Sequence, residues 1–138
     1  MADDRTEVDI PETHRDLLDA QVGILGTIDH KDRPQLSPVW FLAAGGTVRL
    51  SLNTSRRKVE NLQRNSAVSF LILDLANPYR YLELRGYAEI LEDVDYLFAD
   101  KVGAKYGGAD LRQNDRPGEY RVVVTIHPTT VHAVNLAG

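Results

Sequence analysis

The chain has 138 residues, 43% of them hydrophobic and 26% charged, and its 20 acidic against 16 basic side chains leave a formal net charge of -4. That length fits one globular unit with its own core, and an acidic balance excludes the basic field that holds a nucleic-acid backbone, leaving a small anion as the admissible negative partner. The absence of cysteine excludes disulfides, thiolate metal sites and thiol nucleophiles, while the polar start "MADDRTEVDIPETHRD" and the lack of a bilayer-length apolar run predict a soluble, cytoplasmic chain without a membrane partner.

Residues 2–9 are polar and are expected to fray. "PETHRDLLDA" then puts Pro11 at a first helical turn with His14, Leu17 and Leu18 on one side, which predicts a short helix. "VGILGTID" (residues 22–29) and "PQLSPVWFLA" (residues 34–43) flank the polar break "HKDR" and read as a β-hairpin. After Gly45 and Gly46, "TVRLSLNT" alternates Val48, Leu50 and Leu52 with Arg49, Ser51 and Asn53, the period of a half-buried strand. The first three strands are expected to form a meander.

"SRRKVENLQRN" breaks that alternation. Ser55 is a favourable N-cap, and Val59 and Leu62, with Val68 beyond, supply a narrow apolar side for a short helix. "AVSFLILDL" is a nearly continuous apolar run of the kind found in a buried strand. Asn77-Pro78 marks a turn, and "RYLELRGYAEIL" alternates Leu82, Leu84, Ala88 and Ile90 with Tyr81, Glu83, Arg85 and Tyr87, a long strand in which Gly86 permits a bulge. "DVDYLFADKVGAKYGG" carries Val94, Leu97, Phe98, Lys101, Val102 and Tyr106 at helical spacing ahead of a Gly107-Gly108 stop. "ADLRQNDRPGE" reads as a polar loop, and "YRVVVTIHP" and "TVHAVNL" as two strands with a kink at Pro128. Seven strands, hairpin connections and short helices predict a closed or nearly closed antiparallel barrel with helical inserts.

In so acidic a chain Arg56, Arg57, Lys58 and Arg64 stand out. Cations at a helix start oppose the helix dipole at a cost of about 0.3–1 kcal/mol each. Three of them there, beside unpaired backbone N–H groups, form the geometry of a phosphate site; the alternative is a merely solvated turn. Ser51, Asn53 and Ser55 add hydrogen-bonding groups along the polar face of the preceding strand. Gln35 and Ser37 share a strand face with Val39 and could line a polar slot. Trp40, the only tryptophan, reads as a core or dimer-interface aromatic. Tyr79, Arg80 and Tyr81 lie near a turn, where they could stack on a planar ligand. His14, His30, His127 and His132 lack metal-ligand spacing and read as surface or capping residues, so no metal is expected. No nucleophile elbow, Walker loop or GxGxxG occurs, which argues against α/β-hydrolase, P-loop and Rossmann chemistry.

The segments "GILGTIDHKDRPQLSPVWF", "VRLSLNTSRRKVENLQRNSAVSFLILD" and "YRYLELRGYAEI", followed by "RPGEYRVVVTIHPTTVHA", resemble in that order the split-barrel flavin-binding proteins of the pyridoxamine 5'-phosphate oxidase type. The similarity is nearest to the branch that uses the deazaflavin coenzyme F-420, and it spans about residue 22 to residue 128. It implies a mainly β fold, an antiparallel split β-barrel of six to seven strands and Greek-key type with short peripheral helices, as one domain over residues 1–138. It also implies a homodimer with two cofactor sites between its subunits. Gln35, Leu36, Ser37 and Pro38 would pass beside the flavin or deazaflavin ring. Arg57 and Lys58 match the basic pair on the cofactor phosphate, Asn61 a polar helix residue that supports it, and Ser51 and Asn53 the strand end beside it. Tyr79, Arg80 and Tyr81 correspond to the segment that the partner subunit contributes across the interface.

True pyridoxamine phosphate oxidases carry a further C-terminal segment rich in arginine and tryptophan, which "VNLAG" does not supply, so oxidation of pyridoxamine phosphate is not expected. FMN is the alternative cofactor, since its phosphate would meet the same cluster; the lactyl-polyglutamate tail of F-420 would need more polar groups, for which Lys31, Arg33 and Arg64 are candidates. The resemblance thus implies an F-420-dependent oxidoreductase that passes hydride from the reduced cofactor to an electron-poor C=C or carbonyl-conjugated small molecule. No catalytic residue is assigned: Tyr81, Ser37 or solvent could supply a proton. The alternatives are an FMN-binding oxidoreductase of the same fold and a flavin or deazaflavin carrier without catalysis.

Overall fold

The computed structural model of the protein describes residues 6–136. A 3-10 helix at Glu12–Asp19 precedes strands β1 (Gly23–Ile28), β2 (Pro34–Val39), β3 (Leu42–Ala44) and β4 (Thr47–Asn53). Helix α1 (Arg57–Arg64) leads into β5 (Ala67–Leu73) and β6 (Arg80–Glu92), and a 3-10 turn at Val94–Tyr96 enters helix α2 (Leu97–Lys105). A last 3-10 turn, Leu111–Asn114, comes before β7 (Arg121–Asn135). No described helix is long and apolar enough to cross a membrane.

All strands pair antiparallel in one sheet of order β2-β1-β5-β6-β7-β4-β3. The two edges, β2 and β3, are joined by only Trp40 and Phe41. Laid flat, seven strands would hold those edges about 29 Å apart, whereas the chain from Val39 to Leu42 reaches at most about 11 Å. The sheet therefore curls into a split half-barrel, mainly β with short peripheral helices, as the sequence predicts. Inside it lie Leu25, Phe41, Leu50, Phe70, Ile72, Leu82, Leu84, Val124 and Ile126, all fully buried. Each contributes about 1.5–3 kcal/mol of hydrophobic stabilisation.

Gly86 marks the bulge anticipated in β6: the register against β7 shifts between Arg85 and Gly86. A side-chain carbon at Gly86 would lie 1.9 Å from the His127 carbonyl oxygen, so only glycine lets the strands approach here.

Several expectations are corrected. Residues 34–43 are not one strand, and the first three strands are not a meander. The Phe41 N–H donates to the Tyr106 hydroxyl, and its carbonyl accepts from Lys105 Nζ at 2.9 Å, so α2 takes the backbone groups that would have continued the ladder. β3 and β4 consequently form a hairpin at the far edge from β1 and β2. The two late strands are one 15-residue strand that runs through Pro128. α1 is capped by Arg56 rather than Ser55, because Asn53 Oδ1 accepts the Ser55 N–H at 2.7 Å and holds Ser55 in the preceding turn.

β5 is not buried on both faces: Val68, Phe70 and Ile72 point into the barrel, while Leu71 and Leu73 lie half-buried on its outside. In α2 the buried positions are Ala99, Val102 and Gly103, and Val94 and Leu97 are exposed because the chain kinks at Asp95 and Tyr96, both of positive φ. The expected polar loop contains buried Leu111, which closes a small cluster with Ala99 and Val102. His14 is buried rather than superficial, its Nε2–H donating to the Val134 carbonyl at 3.0 Å. Of the segment expected to fray, Val8 donates its N–H to the Pro128 carbonyl at 2.9 Å; residues 2–5 lie outside the described residues.

Candidate functional site

α1 is short, with Val59 and Leu62 buried against the barrel, and a polar residue on the same side anchors it. Asn61, also buried, donates through Nδ2 to Thr27 Oγ1 and Gln35 Oε1, both at 3.0 Å. Arg64 donates to Asn61 Oδ1 and to the Ile28 carbonyl, each at 3.2 Å. These contacts tie α1 to β1 and β2 and fix where its first turn points.

At that turn Arg56 has extended backbone and no side-chain cap. Its own N–H is bonded to the Asn53 carbonyl, and its carbonyl accepts from Val59 and Glu60. The Arg57 and Lys58 N–H groups have no acceptor among the described residues, which is the unpaired donor pair of a helix start. Lys58 Nζ donates to Ser37 Oγ at 3.2 Å. Burial, and then the nearby Arg56 charge, push the Lys58 ammonium below the ordinary lysine range. Among the described residues it has no carboxylate partner. A half-buried cation of this kind is stabilised by an incoming anion.

Lys58 and Arg56 face a cleft of about 330 Å³ whose other walls include Pro38, Trp40, Ser51, Asn53 and Arg121. Arg121 and Asp115 form a buried ion pair, their side chains 8% and 4% exposed, with contacts of 2.9 Å and 3.0 Å. Burial acts to raise the Asp115 carboxyl, but hydrogen bonds from Arg121, Tyr96 and Asn53 outweigh it and hold Asp115 below the usual carboxylate range. Arg121 reaches on to Ser51 Oγ at 3.3 Å, and Asn53 Nδ2 donates to Asp115 at 2.7 Å and Glu119 at 3.1 Å. Ser51 and Asn53 thus hold the segment before β7 against the cleft. Among the described residues no carboxylate or histidine lines the cleft, which presents cationic and hydrogen-bonding groups.

Of the residues marked in the sequence, the structure brings Pro38, Ser51, Asn53 and Lys58 into one cleft, with Ser37 behind Lys58 and Gln35 behind Asn61. Arg56, which the resemblance leaves unassigned, lines it; Arg57 is exposed and does not. Leu36 is on the outer side of the sheet, near Arg85 and Gly86. Tyr79, Arg80 and Tyr81, expected to reach the site from the partner subunit, lie away from this cleft within their own chain. Arg80 is bound by Asp16 at 2.6 Å and Asp74 at 3.1 Å, Tyr79 is exposed, and Tyr81 lines an outer groove with Leu71, Leu73 and Pro78. Arg33 is paired with Asp29 in the β1–β2 turn, where Lys31 is exposed.

Sequence reasoning missed Asp115 and Arg121, whose only signal is an arginine at the head of the valine-rich "RVVV". Trp40, read as a core or dimer-interface aromatic, is not in the core: it is 45% exposed on the cleft wall.

Residues 10–135 match the sequence profile of a family described as pyridoxamine 5'-phosphate oxidase. No curated protein matches the chain. Among solved structures it is similar to an F-420 reductase, at 33% identity over 89% of this chain and 98% of the other, with a TM-score of 0.77. A conserved hypothetical protein from Mycobacterium tuberculosis superposes with a TM-score of 0.76 at 24% identity, over 97% and 90% of the two chains. The heme storage protein from Vibrio cholerae superposes with 0.72 at 15% identity, over 95% and 100%. The last two show a shared fold.

Proposed function

The chain belongs to the pyridoxamine 5'-phosphate oxidase family, and from that premise we propose that it binds coenzyme F-420 in the Lys58 cleft as an F-420-dependent oxidoreductase acting on an electron-poor C=C or carbonyl-conjugated small molecule. The observation that carries this reading is Lys58 itself: a half-buried ammonium held by Ser37, with Arg56 beside it on the cleft and two free backbone N–H groups at the same turn. Similarity to an F-420 reductase favours the deazaflavin over FMN.

The residues present fit such a group. Lys58, Arg56 and the α1 N–H groups would hold the phosphate, as charge-assisted hydrogen bonds at a helix start do. Asn61 fixes the helix, and the Arg121–Asp115 pair fixes the opposite wall. When bound, the reduced deazaflavin supplies the hydride. The protein's task is then to orient donor and acceptor and to exclude water. Among the described residues no carboxylate or histidine lines the cleft, so the product's proton would come from solvent or from a hydroxyl such as that of Ser37.

About 330 Å³ is at the small end of ligand sites, which run to about 1,000 Å³. A second copy of the chain would supply the missing walls, and the outer groove of Leu71, Leu73, Pro78 and Tyr81, bordered by the Glu83–Arg85 ion pair, is a mixed apolar and charged face on which that copy could sit. Titration of the purified protein with F-420 and with FMN, followed by cofactor fluorescence, tests the reading. F-420 binding with oxidation of its reduced form by enones supports it; FMN binding alone moves the assignment to the FMN oxidoreductase, binding without turnover to a carrier, and binding of neither removes it.

A further inference from the structure

Trp40 is exposed on the cleft, yet one face of its ring is held by a stacked neighbour. Its ring stacks on Tyr106 with centroids 4.1 Å apart and planes within 5°. Tyr106 is itself fixed by its hydroxyl, which accepts the Phe41 N–H at 3.0 Å and donates to the Gln21 carbonyl at 2.8 Å. Behind it, Lys105 Nζ bonds the Ala20 and Phe41 carbonyls at 2.7 Å and 2.9 Å and lies 3.9 Å from the centroid of the buried Phe41 ring. One side of the indole is therefore covered and immobilised, while 45% of the residue remains exposed where it borders Pro38 and the Lys58 cleft.

Such an arrangement is costly for a purely structural residue, since the largest apolar side chain is held partly in water. It is well suited to a ligand: a fixed indole face offers a planar partner a large contact area with little entropy left to lose. Lys58 and Arg56, which have no carboxylate partner among the described residues, lie at the start of α1, and Arg121 is neutralised by Asp115, so the Trp40 end is the one left for an uncharged, conjugated group.

We propose that Trp40 is the specificity-determining residue of the cleft, a fixed aromatic platform that selects planar, aryl-conjugated carbonyl acceptors by stacking. The proposal rests on the reading of the cleft as a site of hydride transfer, and it adds to that reading the class of acceptor.

The test compares two acceptors with the same reducible methyl enone, 4-phenylbut-3-en-2-one and pent-3-en-2-one, on wild type, Trp40→Leu and Trp40→Phe supplied with an excess of reduced F-420 as hydride donor. Trp40→Leu is expected to raise KM for the phenyl enone about tenfold more than it raises KM for pentenone, the scale of one lost aromatic contact and its buried area, so the ratio of the two KM values carries the result. Trp40→Phe should restore most of the preference. Calorimetric titration of the oxidised, F-420-loaded protein with the phenyl enone should show the same weakening without turnover. Equal changes for both enones, no change for either, or a loss of F-420 affinity without a change in preference would each overturn the proposal. If the wild type binds neither F-420 nor FMN, the functional reading fails on its own, and the same calorimetry on the cofactor-free protein still decides the role of Trp40.

Discussion

Lys58 Nζ and Ser37 Oγ meet at 3.2 Å, joining the first turn of α1 to the middle of β2 by a single hydrogen bond at the cleft wall. A cation held in this way is pre-positioned for an anion. Lys58→Ala should weaken cofactor binding by about 1.5–3 kcal/mol, the scale of a charged hydrogen bond, with folding retained. Arg57→Ala, outside the cleft, should change it by no more than about 0.5 kcal/mol, as surface substitutions do. Fluorescence titration of both variants checks the pair, and equal losses would put the phosphate elsewhere on the turn.

Binding should also depend on pH through Lys58. Burial disfavours its charged form, so its proton leaves the free folded protein at a lower pH than from the unfolded chain. The penalty for burying that charge is present in full below the folded pKa and disappears toward the unfolded one, so this group alone makes the fold more stable as pH rises between them. An anion in the cleft needs the charged form, so affinity should fall as pH rises through the depressed value, before the ordinary lysine range is reached. Titration at a series of alkaline pH values should show that fall in the wild type and not in Lys58→Met.

Asp115 and Arg121 support the opposite wall, and removing one of them leaves the other buried and unpaired. Asp115→Ala should cost about 3–5 kcal/mol in urea unfolding, whereas the double variant Asp115→Ala/Arg121→Met should cost less than the single one. Asp115 has its carboxyl held below the unfolded value, so its contribution is full above that value and is lost as pH falls through the folded one. The stability of Asp115→Asn should accordingly fall less steeply toward acid than that of the wild type. A double variant as weak as the single one would show that Tyr96 and Asn53, not the ion pair, hold the segment.

Most of the barrel is legible in the sequence because period-two alternation survives wherever one face of a strand is wet, as in β4 and β6. The count of seven strands also agrees, but for a different reason: one expected strand is broken at Phe41 and two others are fused through Pro128. The break depends on Lys105 and Tyr106, more than 60 residues further along the chain, and local pattern carries no trace of such a partner. The same holds at the site. Lys58 and Asn61 stand out by charge and spacing on one helix, but that Arg56 rather than Arg57 lines the cleft depends on which way the turn faces, and spacing alone does not carry that. The Arg121–Asp115 pair and the stacking of Trp40 on Tyr106 are contacts between elements, so sequence periodicity cannot reveal them.

Gly86 is where the sheet tolerates least. β6 and β7 form its longest pairing, and their register shifts at this residue opposite the His127 and Pro128 backbone. An added methyl would meet the His127 carbonyl at 1.9 Å and its carbon at 2.9 Å, far inside contact distance and against backbone that cannot rotate away. Gly86→Ala must therefore separate the two strands or remove the bulge, which would slip the register of every residue beyond it and turn Leu82 and Leu84, or Ala88 and Ile90, away from the barrel. The expected result is a loss above the 1–3 kcal/mol typical of overpacking, read as a lowered urea midpoint. Gly45→Ala supplies the contrast, since its added carbon meets no atom within 4 Å and its positive φ of 61° is the only strain. It should cost no more than about 1–2 kcal/mol. A Gly86→Ala protein as stable as Gly45→Ala would mean that the β6–β7 bulge relaxes freely and does not fix the curl that brings α1 against β2.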